Sequence, residues 1–289
     1  MINPSDVLAI DIHTHAEVSC RHPEDPVMGK FFDATTEYFG ANRQRPTIQE
    51  TIDYYRKQNI AFVMFTVDME SAFGAKRISN EEIADYARDN ADIMIPFASI
   101  DPHKGKMGAK EARYLIEKCG VKGFKFHPPM QGFHPADRMA YPLYEVIAEY
   151  NLPAIFHTGH SGMGTGMPGG GGVRLKYGQP MLIDDVAVDF PDMNIVLAHP
   201  GWPWTDESLS MALHKSNVFI DLSGWSPKYF PKQIIQYANT QLKDKILFGS
   251  DFPLITPDKW IALAKQVGFK EEVLPLLLKE NAMKILKLK

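Results

Sequence analysis

Short apolar runs alternate with longer amphipathic ones along this chain. The apolar runs fall at 8–15, 61–67, 93–100, 123–127, 153–157, 195–199, 218–222 and 246–250, rich in Ile, Val and Phe and mostly closed by a polar residue, Gly or Pro. Such short, near-continuous runs predict strands buried on both faces of a parallel sheet. Between them the spacing predicts helices over 47–58, 80–89, 106–118, 136–150, 180–189, 207–215, 231–238 and 257–266, with a closing helix over 270–288. Strands separated by helices give an α/β architecture, and eight such units predict a (β/α)8 TIM barrel, read as a single domain over 1–289. A doubly wound sheet is the alternative. It ranks lower because it would spread the polar strand ends along a crevice. Two connections, 16–45 and 158–179, are too long for plain turns and are expected to be extended loops on the active-site face.

The polar residues at the strand ends carry the chemistry. Asp11-Ile12-His13-Thr14-His15 places two histidines two apart on a strand, which projects both to one face. Neutral imidazoles are common ligands for zinc and similar metals, although one His-x-His pair fits a hydrogen-bonded strand end equally well. The other ends shift that balance: Lys125-Phe126-His127, Phe156-His157, Ala198-His199-Pro200 and Gly249-Ser250-Asp251-Phe252-Pro253. Six of the ten histidines (His13, His15, His127, His157, His160 and His199) lie at or just beyond a predicted strand end. Histidines from separate strands converge only if the sheet closes, so fold and site support each other.

Read in order, these elements resemble the amidohydrolase superfamily, and more narrowly its amidohydrolase-related branch of metal-dependent hydrolases and decarboxylases. The resemblance runs from Asp11-Ile12-His13-Thr14-His15, through Val196-Leu197-Ala198-His199-Pro200-Gly201, to Leu247-Phe248-Gly249-Ser250-Asp251-Phe252-Pro253. It implies one divalent ion, zinc with manganese as the alternative, held by His13, His15, His157 and Asp251. It also implies His199 as the catalytic histidine beside the metal and Asp251 as the residue that moves the proton. In binuclear relatives a strand-four lysine is carboxylated and bridges two ions. Lys125 is read instead as a substrate-facing charge or an internal ion-pair partner, because the branch resembled generally works with one metal.

Further substrate contacts are expected from the loops. His127 is open between substrate contact and structural hydrogen bond, and His160 ranks below His199. The tract Ser161–Gly172 is Gly-rich but lacks the Gly-Lys-Ser/Thr ending of a phosphate loop, so it reads as a roof segment. Arg174 and Lys176, just beyond it, would attract an anionic substrate or remain solvated loop charges. Phe31, Phe32, Tyr38, Phe39, Trp202, Trp204 and Trp225 fall in the same loops and suit a flat substrate, with Trp202 the chosen contact.

Composition narrows the partners. A formal charge of −4 over 289 residues, with no block of like charge, argues against nucleic acid. No apolar stretch approaches the roughly 20 residues of a spanning helix. The N-terminus lacks a secretory pattern, and two distant cysteines, Cys20 and Cys119, fit reduced thiols, so a cytoplasmic enzyme is expected. A homodimer is expected by analogy alone. The favoured chemistry is hydrolysis of a lactone, thioester or related derivative by metal-activated water. Nonoxidative decarboxylation of an aromatic or unsaturated acid on the same residues is the nearest rival, and a noncatalytic metal- or ligand-binding barrel is the rival of another class.

Overall fold

Eight parallel strands and the helices between them build a computed structural model that describes residues 2–39 and 45–288. The strands are β1 (Ala9–His15), β2 (Ile60–Phe65), β3 (Met94–Pro96), β4 (Phe124–Phe126), β5 (Ala154–His157), β6 (Ile195–Ala198), β7 (Val218–Asp221) and β8 (Ile246–Leu247). They pair in sequence order as two arcs, β1-β2-β3 and β4 through β8. Short parallel bridges join the arcs at both seams. Ala98 meets Phe124 at one, and Thr14 meets Phe252 at the other. Backbone hydrogen bonds reinforce them, from Lys125 N–H to Ala98 O (2.7 Å) and from Ile12 N–H to Phe248 O (3.1 Å). This is the TIM barrel expected from the strand count.

Alternation along the strands divides the core. In β2, Ile60, Phe62 and Met64 face the surrounding helices, while Ala61, Val63 and Phe65 join the barrel interior. In β6, Ile195 and Leu197 face out, and Val196 and Ala198 face in. Lys125 shares the inward parity of β4, between Phe124 and Phe126.

β1 departs from strict alternation where it matters. Ile10 and Ile12 belong to the interior cluster, so simple parity would send His13 outward. The register against β2 shifts by one residue between Asp11 and Thr14. A bulge of one residue re-aims the side chains beyond it, which returns His13 and His15 together to the interior. Buried Asp11 fastens the bulge to the end of β8. One oxygen accepts the His13 and Ser250 N–H groups at 3.0 Å each; the other accepts the Tyr55 and Ser250 hydroxyls at 2.7 and 2.5 Å.

The connection over 16–45 is not a plain loop. It contains a helix, α1 (Pro26–Phe39). Asp25 Oδ1 caps it by accepting the N–H groups of Val27 and Met28 (2.9 and 3.2 Å), with Pro26 at the first turn. The Asp25-Pro26 pair is a helix-start signal that the apolar pattern alone did not bring out. The connection over 158–179 is extended as expected, with short 3-10 turns at Pro168–Gly172 and Leu175–Gly178. The closing helix is broken into a π-helical turn, Leu276–Glu280, and a final helix, Asn281–Leu286. No helix among the described residues is long and apolar enough to cross a membrane.

Candidate metal centre

The inward side chains at the C-terminal ends of the strands meet at one point. Among the described residues, His13, His15 and Asp251 form the group whose ligand atoms lie within 4.8 Å of one another. His13 Nε2 and His15 Nε2 stand 3.2 and 3.0 Å from Asp251 Oδ1. That oxygen is buried, yet neither approach has hydrogen-bond geometry. Three donors at such spacing, aimed past one another, match a coordination edge: bonds of about 2.1 Å at right angles put ligand atoms about 3.0 Å apart. The residues therefore fit a divalent ion.

Charge and tautomer suit the same purpose. Burial raises the Asp251 carboxyl, but His13 and His15 beside it outweigh that and hold it well below the usual carboxylate range. Asp221, at the end of β7, is likewise raised by burial and lowered further by His13, so it too is ionised. An ionised carboxylate only accepts. His13 must therefore donate from Nδ1 to Asp221 Oδ2 (2.9 Å), which turns Nε2 toward the metal position. Burial pushes His15 down to about 4, leaving it neutral and ready to ligate.

His157, the fourth expected ligand, lies beside this trio rather than in it. Its Nδ1 is 3.0 Å from His199 Nε2, and its Nε2 is buried without a hydrogen-bond partner. His127 stacks on its ring at 3.9 Å. An orphaned buried nitrogen next to three converging donors is where a further ligand would be needed. His199 Nδ1 faces Ser223 O and Ser223 Oγ at 3.0 and 2.9 Å, and burial pushes its pKa down to about 4. His199 and Asp251 also hold positive φ angles of 73° and 63°. Left-handed backbone is uncommon outside glycine and concentrates at functional sites.

Lys125 reaches further inward than a substrate contact would. It is fully buried, and its Nζ lies 2.9 Å from His13 Nε2. Burial lowers its pKa to about 8, against the pull of Asp221 and Asp251. With its proton on Nδ1, His13 accepts at Nε2 a hydrogen bond from the Lys125 ammonium, and a metal ion at Nε2 competes with that bond. Affinity for the ion is then expected to rise roughly tenfold per pH unit until about pH 8, and to level off above. Lys125→Met should bind metal more tightly at pH 6–7 and flatten that slope, as chelator competition across pH 6–9 will measure. Loss of one of two metal equivalents in this variant would point instead to a bridging, carboxylated lysine.

A cavity of about 1090 Å³ opens above the trio. His15, Asp251, His127, His157 and His199 line its floor, and Phe32, Tyr38, Trp202 and Trp225 line its walls. His127 Nδ1 accepts the Met130 N–H (3.3 Å), and burial keeps the ring neutral, so its proton sits on Nε2. His160 lies at the rim with its ring edge against Trp202 (5.8 Å). Arg174 and Lys176 do not line this cavity. Arg174 borders a separate, smaller one, and Lys176 is exposed over the Tyr177 ring (5.1 Å), because the roof segment turns its charges outward. The cations on the main cavity wall are Lys76 and Arg77, from the connection after β2. The Phe39 side chain lies outside the described residues.

Sequence reasoning missed Asp221 and Ser223. The signal was present, since Val218-Phe219-Ile220-Asp221-Leu222-Ser223 closes a strand on polar residues just as the histidine strands do.

A family model described as amidohydrolase matches residues 10–288. No curated protein matches the sequence. An uncharacterized TIM-barrel protein from Bordetella bronchiseptica superposes with a TM-score of 0.77 at 22% identity, covering 96% of this chain and 98% of its own. The 5-carboxyvanillate decarboxylase of Novosphingobium aromaticivorans, solved with manganese and 4-hydroxy-3-methoxy-5-nitrobenzoic acid, gives 0.66 at 14% identity, covering 99% and 98%. The 2,6-dihydroxybenzoate decarboxylase from Rhizobium gives 0.67 at 15% identity, covering 97% and 98%.

Proposed function

The chain belongs to the amidohydrolase family, and from that premise we propose that it is a metal-dependent decarboxylase of an aromatic or unsaturated carboxylic acid. The observation that carries this reading is the position of His15 and Asp251, grouped with His13, at the floor of an aromatic-walled cavity. Because His15 and Asp251 line that cavity, an ion held there keeps a face open to substrate, which a saturated structural site does not. Manganese, the ion in the Novosphingobium enzyme, and zinc are the two to test, since imidazole and carboxylate donors accept both.

The bound ion would supply Lewis-acid stabilisation to a carboxylate or hydroxyl oxygen of the substrate. The chain's residues do the rest. Trp202, Trp225, Phe32 and Tyr38 hold a flat ring over the floor. Neutral His127 presents its Nε2–H to the carboxylate, and neutral His199, its Nε2 3.0 Å from His157 Nδ1, polarises the floor beside it. Loss of carbon dioxide breaks the bond between the ring and the carboxyl carbon and leaves its electron pair on the ring carbon. Asp251, ionised in the free site, takes the proton that the substrate's hydroxyl or a water gives up and delivers it to that carbon, forming the new C–H bond.

Hydrolysis of a lactone or thioester is the second reading, and the cavity's volume favours it. About 1090 Å³ exceeds the upper end of ordinary small-molecule pockets, about 1,000 Å³, and a single-ring acid fills only a fraction of it. Product analysis separates the two. Metal-reconstituted protein is incubated with hydroxylated benzoates, unsaturated acids, lactones and acyl thioesters. Carbon dioxide with a decarboxylated product supports the first reading. A free acid released from a lactone or thioester, with no carbon dioxide, replaces it with the second.

A further inference from the structure

A second cavity, of about 300 Å³, lies on the same face of the barrel but shares no lining residue with the first. Its walls come from the connections after β2 (Ala72, Phe73), β3 (His103), β4 (Pro129, Gln131, Gly132) and β5 (Gly172, Arg174). We propose that this cavity is a binding site for a small oxyanion, a carboxylate or a phosphate, with Arg174 as its principal cation and His103 beside it.

Four features support the assignment. No carboxylate lines the cavity, while its eight residues include a cation, Arg174, and an imidazole, His103. Arg174 makes no ion pair among the described residues, whereas Arg77 and Lys104 are each committed to Asp68. His103 is oriented from behind, its Nδ1 held by Asp101 Oδ1 at 2.8 Å, which leaves the other ring edge for a ligand. The two Asp101 oxygens are turned to the Ser71 and His103 N–H groups, at 2.9 Å each, and form no ion pair with Arg174 among the described residues.

Glycines let the walls approach closely. Gly132 has a φ of 70°, and a Cβ there would sit 3.6 Å from Ala72; a Cβ on Gly172, at φ 89°, would sit 3.3 Å from the Phe73 ring. The floor is rigid, because buried Gln131 donates to Asp68 O (2.8 Å) and Ile100 O (3.3 Å) and accepts the His127 N–H (2.8 Å). Arg174 is anchored at the rim by its own N–H to Pro129 O (3.3 Å), and the residue is exposed. A volume near 300 Å³ sits at the small end of ligand pockets, as a compact anion requires. An arginine with unused donors is suited to carboxylate or phosphate through paired charge-assisted hydrogen bonds.

The test is calorimetric titration of the metal-loaded protein with inorganic phosphate and, separately, malonate. Saturable binding of either is expected, weakened about tenfold or more by Arg174→Met and to a lesser degree by His103→Gln. Preference for phosphate or for malonate assigns the class of oxyanion. Arg174 is exposed, so its variant should fold, and an unchanged melting temperature will verify that. No saturable binding by the wild type overturns the proposal. So does binding that Arg174→Met leaves unchanged, because the anion would then be at the metal or elsewhere.

Discussion

Asp251→Asn is expected to strip the protein of its metal and of all measurable turnover. Asp251 Oδ1 is the atom that both histidine nitrogens approach, at 3.2 and 3.0 Å, and it lacks a hydrogen bond of its own. Its carboxylate stays ionised at any working pH, since His13 and His15 more than offset the cost of burial. Asparagine keeps the shape and removes the charge. Loss of an outer contact to a metal ligand costs roughly 10–100-fold in affinity, and loss of a charged ligand should cost more. The proposed proton donor disappears at the same time. Chelator competition and a turnover assay on the same preparation measure both effects. Full metal occupancy with intact turnover would remove Asp251 from both roles.

His199→Ala should separate what Asp251→Asn combines. The ring of His199 touches His157 and Ser223 but is not among the converging donors. Metal content should therefore change little, while turnover falls by about 10²–10⁴-fold, the range for a positioned acid–base or polarising group. Its pKa of about 4 adds a pH statement. A histidine whose folded value lies below its ordinary one contributes stability as the neutral form above that ordinary value. The contribution is lost as pH falls from about 6.5 towards 4. Unfolding midpoints across this window should fall less steeply in the variant than in the wild type. Metal lost along with activity would make His199 a ligand.

Much of this site was legible in the sequence for a physical reason. Parallel barrel strands are buried on both faces, so a charged or imidazole side chain at a strand end stands out against Ile, Val and Phe. That contrast exposed His13, His15, Lys125, His127, His157, His199 and Asp251. The same contrast at Asp221 and Ser223 went unused because aspartate and serine also close ordinary turns. Local geometry was less legible. Turning His13 and His15 inward after Ile10 and Ile12 relies on a bulge between Asp11 and Thr14, and a bulge leaves no mark in the hydrophobic pattern. Inward parity for Lys125 was legible, but its 2.9 Å approach to His13 depends on side chains from two strands far apart in sequence. For Arg174 and Lys176, charge was visible and direction was not, because a glycine-rich segment with positive φ at Gly169, Gly170, Gly171 and Gly172 has no period to read. Helix α1 was hidden for a related reason. Its aromatic face covers the cavity instead of packing on the barrel, so it did not read as one more helix of the repeat.

The most direct measurement is bound metal by elemental analysis, in the wild type and in the His13→Ala, His15→Ala double variant, after reconstitution with manganese or zinc. About one equivalent in the wild type and none in the double variant is the predicted result. Equal metal in both proteins, or none in the wild type with either ion, would contradict a metal centre built on the first strand.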